Sequence, residues 1–252
     1  MIRPIACAAL ACALPLAIVP PAAIAHPDRS HRSMLDEGKP IARDWQDTDR
    51  FNAVTLTGSD EMAVRHGERW QIRASGDPEI LADLRFVIEN GALTVGRRWR
   101  RSPLPGSARI EVTAPRVNAV TLAGSGTLGA DGLNGDRTAA TVAGSGRLEL
   151  DRLSAGHFAA TIAGSGDLVA SGNARNARIS IAGSGAIEAR GLRLGNASLT
   201  IAGSGDARLS ANGRVSANIA GSGSAEVMGT TDCQQTRTGS GRLTCSALNT
   251  VK

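Results

Sequence analysis

The chain has 252 residues, a length that accommodates one domain or two. Thirty glycines, three tryptophans, three phenylalanines and no tyrosine exclude a helical bundle and disfavour a rounded core filled by aromatic rings. At 42% hydrophobic the chain is too apolar for plain disorder, and its formal charge of +5 rests on arginine, since lysine occurs only at Lys39 and Lys252.

What remains is a thin all-β architecture with a narrow core of small residues. The arginine usage reads either as coding bias or as an anion-binding surface, because guanidinium forks onto carboxylate and phosphate.

Residues 1–25 read as a secretory signal peptide. Arg3 opens a short positive start, an apolar run extends from Ile5 to Ile24, and Ala23-Ile24-Ala25 supplies small residues before a cut ahead of His26. Pro15, Pro20 and Pro21 interrupt that run and count against a membrane anchor. A lipoprotein would need Cys12 as its acylated residue, and Ala9-Leu10-Ala11 before it is a poor match. The expected address is therefore periplasmic, cell-surface or secreted.

Residues 26–48 are polar, with Pro27 and Pro40 and mixed charges, and read as a linker or disordered arm. One domain is expected over 49–248, beginning with an irregular β-rich block at 49–117. Val54-Thr55-Leu56-Thr57-Gly58-Ser59-Asp60 and Trp70-Gln71-Ile72-Arg73 have strand character, and Asp77-Pro78 opens a short helical turn. Phe86-Val87-Ile88 and Leu93-Thr94-Val95 flank Glu89-Asn90-Gly91-Ala92, which predicts a hairpin.

The concentrated charge at Arg97-Arg98-Trp99-Arg100-Arg101 reads as a solvated loop or as an anionic-ligand patch for glycans or lipid headgroups.

From 118 to 245 the chain repeats itself. Gly-Ser-Gly begins at Gly124, Gly144, Gly164, Gly183, Gly203, Gly221 and Gly239, with spacings of 20, 20, 19, 20, 18 and 18. A period near 19 suits one coil of a β-solenoid, so about seven regular coils are expected. Alternation places Leu122, Val142, Ile162, Ile181, Ile201 and Ile219 inward before the motif. After it, Leu128, Leu148, Leu168, Ile187, Ala207, Ala225 and Leu243 face inward.

The serines Ser125, Ser145, Ser165, Ser184, Ser204, Ser222 and Ser240 form a structural turn ladder, since seven equivalent serines cannot each be a nucleophile and no histidine recurs beside them. The ladder of Thr121, Thr141, Thr161 and Thr200 reflects strand propensity; ice or crystal-surface binding would call for a second threonine where alanine stands.

Calcium is not expected, because Asp follows the motif only at Asp167 and Asp206 and the period differs from that of the calcium-binding nonapeptide. Those two aspartates, about 9.6 Å apart by strand spacing, are also the basis for an alternative reading as a polysaccharide-active enzyme. Arg147, Ala186 and Arg242 share their column, as on a mixed-charge surface. No catalytic constellation, metal site or cofactor is expected, and the export signal leads away from nucleic acid. Cys233 and Cys245 bracket the last, more polar copy and predict a disulfide that closes the terminal coil.

Phe51-x-x-Val54-x-Leu56-x-Gly58, then Glu89-Asn90-Gly91-Ala92-Leu93, then Ala114-Pro115-Arg116-Val117 leading into Leu122-Ala123-Gly124-Ser125-Gly126, resemble the DUF2807 family, the putative auto-transporter adhesin head GIN domain. The resemblance spans roughly 45–245. It implies a right-handed single-stranded parallel β-helix at the bacterial envelope, with no catalytic residues to carry over. No segment after the last coil reads as an outer-membrane barrel, so self-translocation is not expected. The function expected is a structural, adhesive or interaction module whose partner is an envelope glycan, lipid headgroup or envelope protein.

Overall fold

The computed structural model describes residues 34–41 and 46–247; the expected leader lies outside them. A 3-10 turn at Met34–Glu37 precedes two short strands, β1 (Lys39–Pro40) and β2 (Gln46–Asp47). The front block then contributes β3 (Ala53–Gly58), β4 (Glu61–His66), β5 (Gln71–Ser75), α1 (Pro78–Asp83), β6 (Leu84–Glu89), β7 (Ala92–Arg97) and β8 (Arg109–Ala114). The repeats contribute β9 (Ala119–Gly124), β10 (Thr127–Asp131), β11 (Asn134–Gly144), β12 (Arg147–Gly164), β13 (Asp167–Gly183) and β14 (Ala186–Gly203). They end with β15 (Asp206–Ala211), β16 (Val215–Gly221), β17 (Ser224–Met228), β18 (Cys233–Thr238) and β19 (Arg242–Ser246).

Each Gly-Ser-Gly separates a strand run entering the corner from one leaving it, and equivalent runs pair in parallel from coil to coil. Before the corner β3, β9, β11 and the second halves of β12, β13 and β14 lead to β16 and β18. After it β4, β10 and the first halves of β12, β13 and β14 lead to β15, β17 and β19. The protein is thus a β-solenoid of stacked parallel coils.

Alternation along each run selects the core. Leu122, Val142, Ile162, Ile181, Ile201 and Ile219 are buried in one register column, and Leu128, Leu148, Leu168, Ile187, Ala207 and Ala225 in another. Phe158 is the one ring buried within the repeats, in the column of Thr138, Ala177, Ala197 and Val215. At strand spacing each rung lies about 4.8 Å from the next, so aliphatic side chains in one column already touch and little room is left for rings.

The corner has its own ladder. The amides of Ser145 and Gly146 both donate to the carbonyl of Gly124, at 3.1 and 3.0 Å, and those of Ser165 and Gly166 do the same to Gly144. The first glycine of each corner holds φ between +111° and +138°, and a Cβ on Gly239 would lie 2.5 Å from the carbonyl oxygen of Gly221. Glycine is required there for conformation and for space. The ladder serines are exposed at the bend. Their amides, rather than their hydroxyls, hold one coil to the next.

The front block is folded out of chain order. β3 and β4 pair with β9 and β10 on one side, and with β7 and β8, also in parallel, on the other. Beyond them β6 and β5 are antiparallel, and β1 and β2 antiparallel again. The predicted hairpin is β6–β7, with Asn90 and Gly91 at φ +51° and +76° in its turn. The predicted helical turn is α1, capped by Asp77, whose side chain accepts from the Glu79 amide at 2.8 Å. Part of the segment expected to be a polar arm is built into this end: Leu35 and Ile41 are buried, because the last layer would otherwise leave its apolar side open.

At the opposite end Cys233 and Cys245 form the expected disulfide, across a sequence separation of 12. They occupy the core columns of Val215 and Val227 in a coil whose Gln235 and Arg237 are exposed.

Gly164→Ala should cost about 2–3 kcal/mol in urea unfolding, against a near-neutral Ser165→Ala. Equal effects of the two would refute the corner ladder as described. Replacing both cysteines by serine should lower stability by about 2–4 kcal/mol, read as a reduced urea midpoint.

Candidate functional site

Side chains facing outward differ sharply between the two strand runs. The run leaving the corner carries Arg147 and Glu149, then Glu188 and Arg190, then Arg208 and Glu226. Pairs link them within and between coils: Arg147–Glu149 at 2.7 Å, Arg190–Glu226 at 2.7 Å and Arg208–Glu188 at 3.9 Å. Glu149 holds the Arg147 guanidinium above its ordinary pKa through their hydrogen bond. Asp167 and Asp206 sit in this laced face, Asp167 within 3.7 Å of Arg147 and Asp206 accepting from the Ser224 hydroxyl at 2.5 Å.

The run entering the corner is almost free of charge. Its outward triplets are Ala119-Thr121-Ala123, Ala139-Thr141-Ala143, Ala159-Thr161-Ala163, Arg178-Ser180-Ala182, Ser198-Thr200-Ala202 and Ser216-Asn218-Ala220. Arg178 is their single charge. These short side chains make a level sheet face of small, uncharged groups.

Along the edge of that face runs a groove of about 1140 Å³. One wall is a column set seven residues before each first glycine: Arg137, His157, Asn176, Asn196, Arg214 and Asp232. Its floor is the column Ala119, Ala139, Ala159, Arg178, Ser198 and Ser216. The Asn196 amide nitrogen donates to Asn176 Oδ1 at 3.4 Å, and Asn196 Oδ1 accepts from the Arg214 backbone amide at 3.0 Å.

The loop 98–108, which carries most of the arginine run, replaces the Gly-Ser-Gly corner between β7 and β8. Asp60 stands where the next corner has Gly126 and is wholly buried. A side chain fits because the neighbouring layer is this loop and not a tight bend. The Asp60 carboxylate accepts from Arg97 Nε at 2.9 Å, Arg97 Nη2 at 2.5 Å and the Ala108 amide at 2.7 Å. That hydrogen bonding raises the Arg97 pKa, and the same guanidinium donates to the carbonyls of Leu104 and Gly106.

Arg98 and Arg100 both bind Asp83, which is 2% exposed. Burial alone would raise the Asp83 pKa, but the bonds from Arg100 and Arg98 outweigh it and hold the carboxyl below 3.8. Three of the four arginines thus have internal carboxylate partners, while Trp99 is 61% exposed and Arg101 is exposed.

The ladder serines do not line the groove, and the disulfide stands at its end, where Cys233 follows the wall residue Asp232. The groove itself was not anticipated, although the constant offset of seven residues from each glycine marks its wall in the sequence. Among the described residues no group of three or more His, Cys, Asp or Glu could hold a metal, and no helix is long and apolar enough to cross a membrane.

The family model described as "Putative auto-transporter adhesin, head GIN domain" (DUF2807) matches residues 50–231. Among solved structures, one described as a putative adhesin from Bacteroides fragilis is similar with TM-score 0.74 and 19% identity, over 81% of this chain and 95% of that one. One described as a putative adhesin from Parabacteroides merdae has TM-score 0.64 and 22% identity, over 81% and 95%. One described as a putative lipid binding protein from Parabacteroides distasonis has TM-score 0.64 and 19% identity, over 81% and 96%. At these identities the likeness is one of fold. Comparison with curated proteins finds no match.

With Asp83 depressed in the folded state, its stabilisation is present above the unfolded value near 3.8 and is lost as pH falls through the folded pKa. Acid titration of stability should therefore show a drop below about pH 4 that is reduced in Asp83→Asn. Identical acid profiles for the two proteins would count against the Asp83 clamp.

Proposed function

The chain belongs to the DUF2807 family of putative auto-transporter adhesin head GIN domains, and on that premise we propose that it is an exported, non-catalytic adhesive module acting at the bacterial envelope. The observation that carries this reading is the segregation of charge between the two outer faces. A level face of Ala, Thr and Ser can approach a partner closely at little desolvation cost, whereas the opposite face keeps its charges paired and hydrated. Regular rungs repeat the same small groups along the stack, which suits an extended partner better than a compact one.

The cysteine pair supports an extracytoplasmic address, since a disulfide persists where thiols are not kept reduced. The carboxylates on the laced face are engaged by arginine or serine partners, which suits a surface role more than acid–base work.

The test is binding of the labelled protein to isolated bacterial envelopes. Thr161→Glu with Thr200→Glu, both exposed on the level face, should weaken binding ten-fold or more with unchanged thermal unfolding. Arg208→Ser on the opposite face should leave binding as it was. Equal binding by the threonine variant, or turnover of an envelope polysaccharide by the parent, would overturn the proposal.

A further inference from the structure

We infer that the groove beside the level face binds an unbranched anionic glycan strand lying along the solenoid axis. This rests on the reading of the protein as a binding module and names its ligand class. The wall column draws on six successive coils, from Arg137 to Asp232, so the groove follows the axis over five rung spacings, roughly 24 Å. A strand-like ligand fits that length and direction.

Charge then selects among strands. Arg137 and Arg178 line the groove two rungs apart, and neither has a carboxylate partner among the described residues, in contrast to Arg97, Arg98, Arg100, Arg147 and Arg208. Unspent guanidinium forks in a trough are suited to carboxylate or sulfate groups. The amide bonding described above engages Asn196 with its neighbours along the column and leaves Asn176 Nδ2 as a donor for a ligand oxygen. Between these groups the floor at Ala139 and Ala159 is small and apolar, so the C–H faces of sugar rings can lie on it.

The same geometry disfavours the other polyanions. A bilayer is planar and would rest on the rims of the groove, leaving its apolar floor at Ala139 and Ala159 uncovered. Single-stranded nucleic acid draws its affinity from successive bases stacking on a series of exposed rings, whereas this groove offers one exposed ring, the imidazole of His157, and its other ring, Phe158, is 2% exposed.

Calorimetric titration of the purified protein with polygalacturonate oligomers tests the inference, with unbranched dextran, phosphatidylglycerol vesicles and single-stranded DNA as comparison probes. Polygalacturonate should bind, more weakly as salt rises, and Arg137→Ser with Arg178→Ser should lower its affinity ten-fold or more. Arg147→Ser with Arg208→Ser, on the opposite face, should change it less than two-fold. Both arginine pairs are at the surface, so unchanged thermal unfolding shows that the variants are folded.

The inference falls if the groove variant binds like the parent, if dextran binds equally well, or if vesicles or DNA bind more tightly than the polyuronate. Should polygalacturonate fail while envelope binding remains sensitive to Thr161 and Thr200, this inference alone falls. Failure of both assays removes the adhesive reading as well.

Discussion

The carbonyl of one glycine, shared by two amides of the next coil, is the contact on which the rest of the molecule depends. It brings successive corners to strand spacing at the bend, where a parallel sheet would otherwise splay. Because the donors are backbone groups, the contact is indifferent to the serine between the glycines. Because a Cβ has nowhere to go, the contact is intolerant of any other residue at the glycine. Once the corners are in register, every column on the strands follows: the aliphatic ladder inside, and the level and laced faces outside.

The rule fails where its cause is absent. Asp60 takes a glycine position in the coil formed by β3 and β4, because the layer beyond it is the loop joining β7 to β8. The space left by the missing bend is filled by a buried ion pair, with Arg97 reaching on to two loop carbonyls. Such a pair gains little over an apolar filling, yet loss of either partner would strand the other charge. Arg97, Arg98 and Arg100 are therefore explained first by the architecture of this end, and Arg101 alone of that run is left to solvent.

Much of this was legible in the sequence, for a definite reason. Inward positions such as Leu122, Ile162 and Ile201 recur at the coil period, and a parallel stack turns that period directly into contact. The Cys233–Cys245 bond was legible because both residues fall on inward phase in a terminal coil. Two features were not. The out-of-order layering of β7 and β8 outside β3 leaves no periodic trace, since pairing is long-range and each strand alone has the same alternation. The partners of the loop arginines were hidden for two reasons. Asp60 is 37 residues from Arg97 and meets it only through that layering. Asp83 lies beside Arg98 at the open end of the predicted β6–β7 hairpin, where the strand pattern does not show that Arg98 and Arg100 both turn back onto it.

The out-of-order end also bears on how such a chain can change length over time. β3 is enclosed between β7 and β9, so no coil can be added on that side without dismantling the interlocked layers. The far end is closed by its own disulfide-bridged coil. Between these two fixed terminations, each coil offers its neighbours the same pair of edges. Duplication or loss of one whole period in the interior would lengthen or shorten the level face by a single rung and leave both ends as they are. The ends preserve the fold while the middle sets its reach.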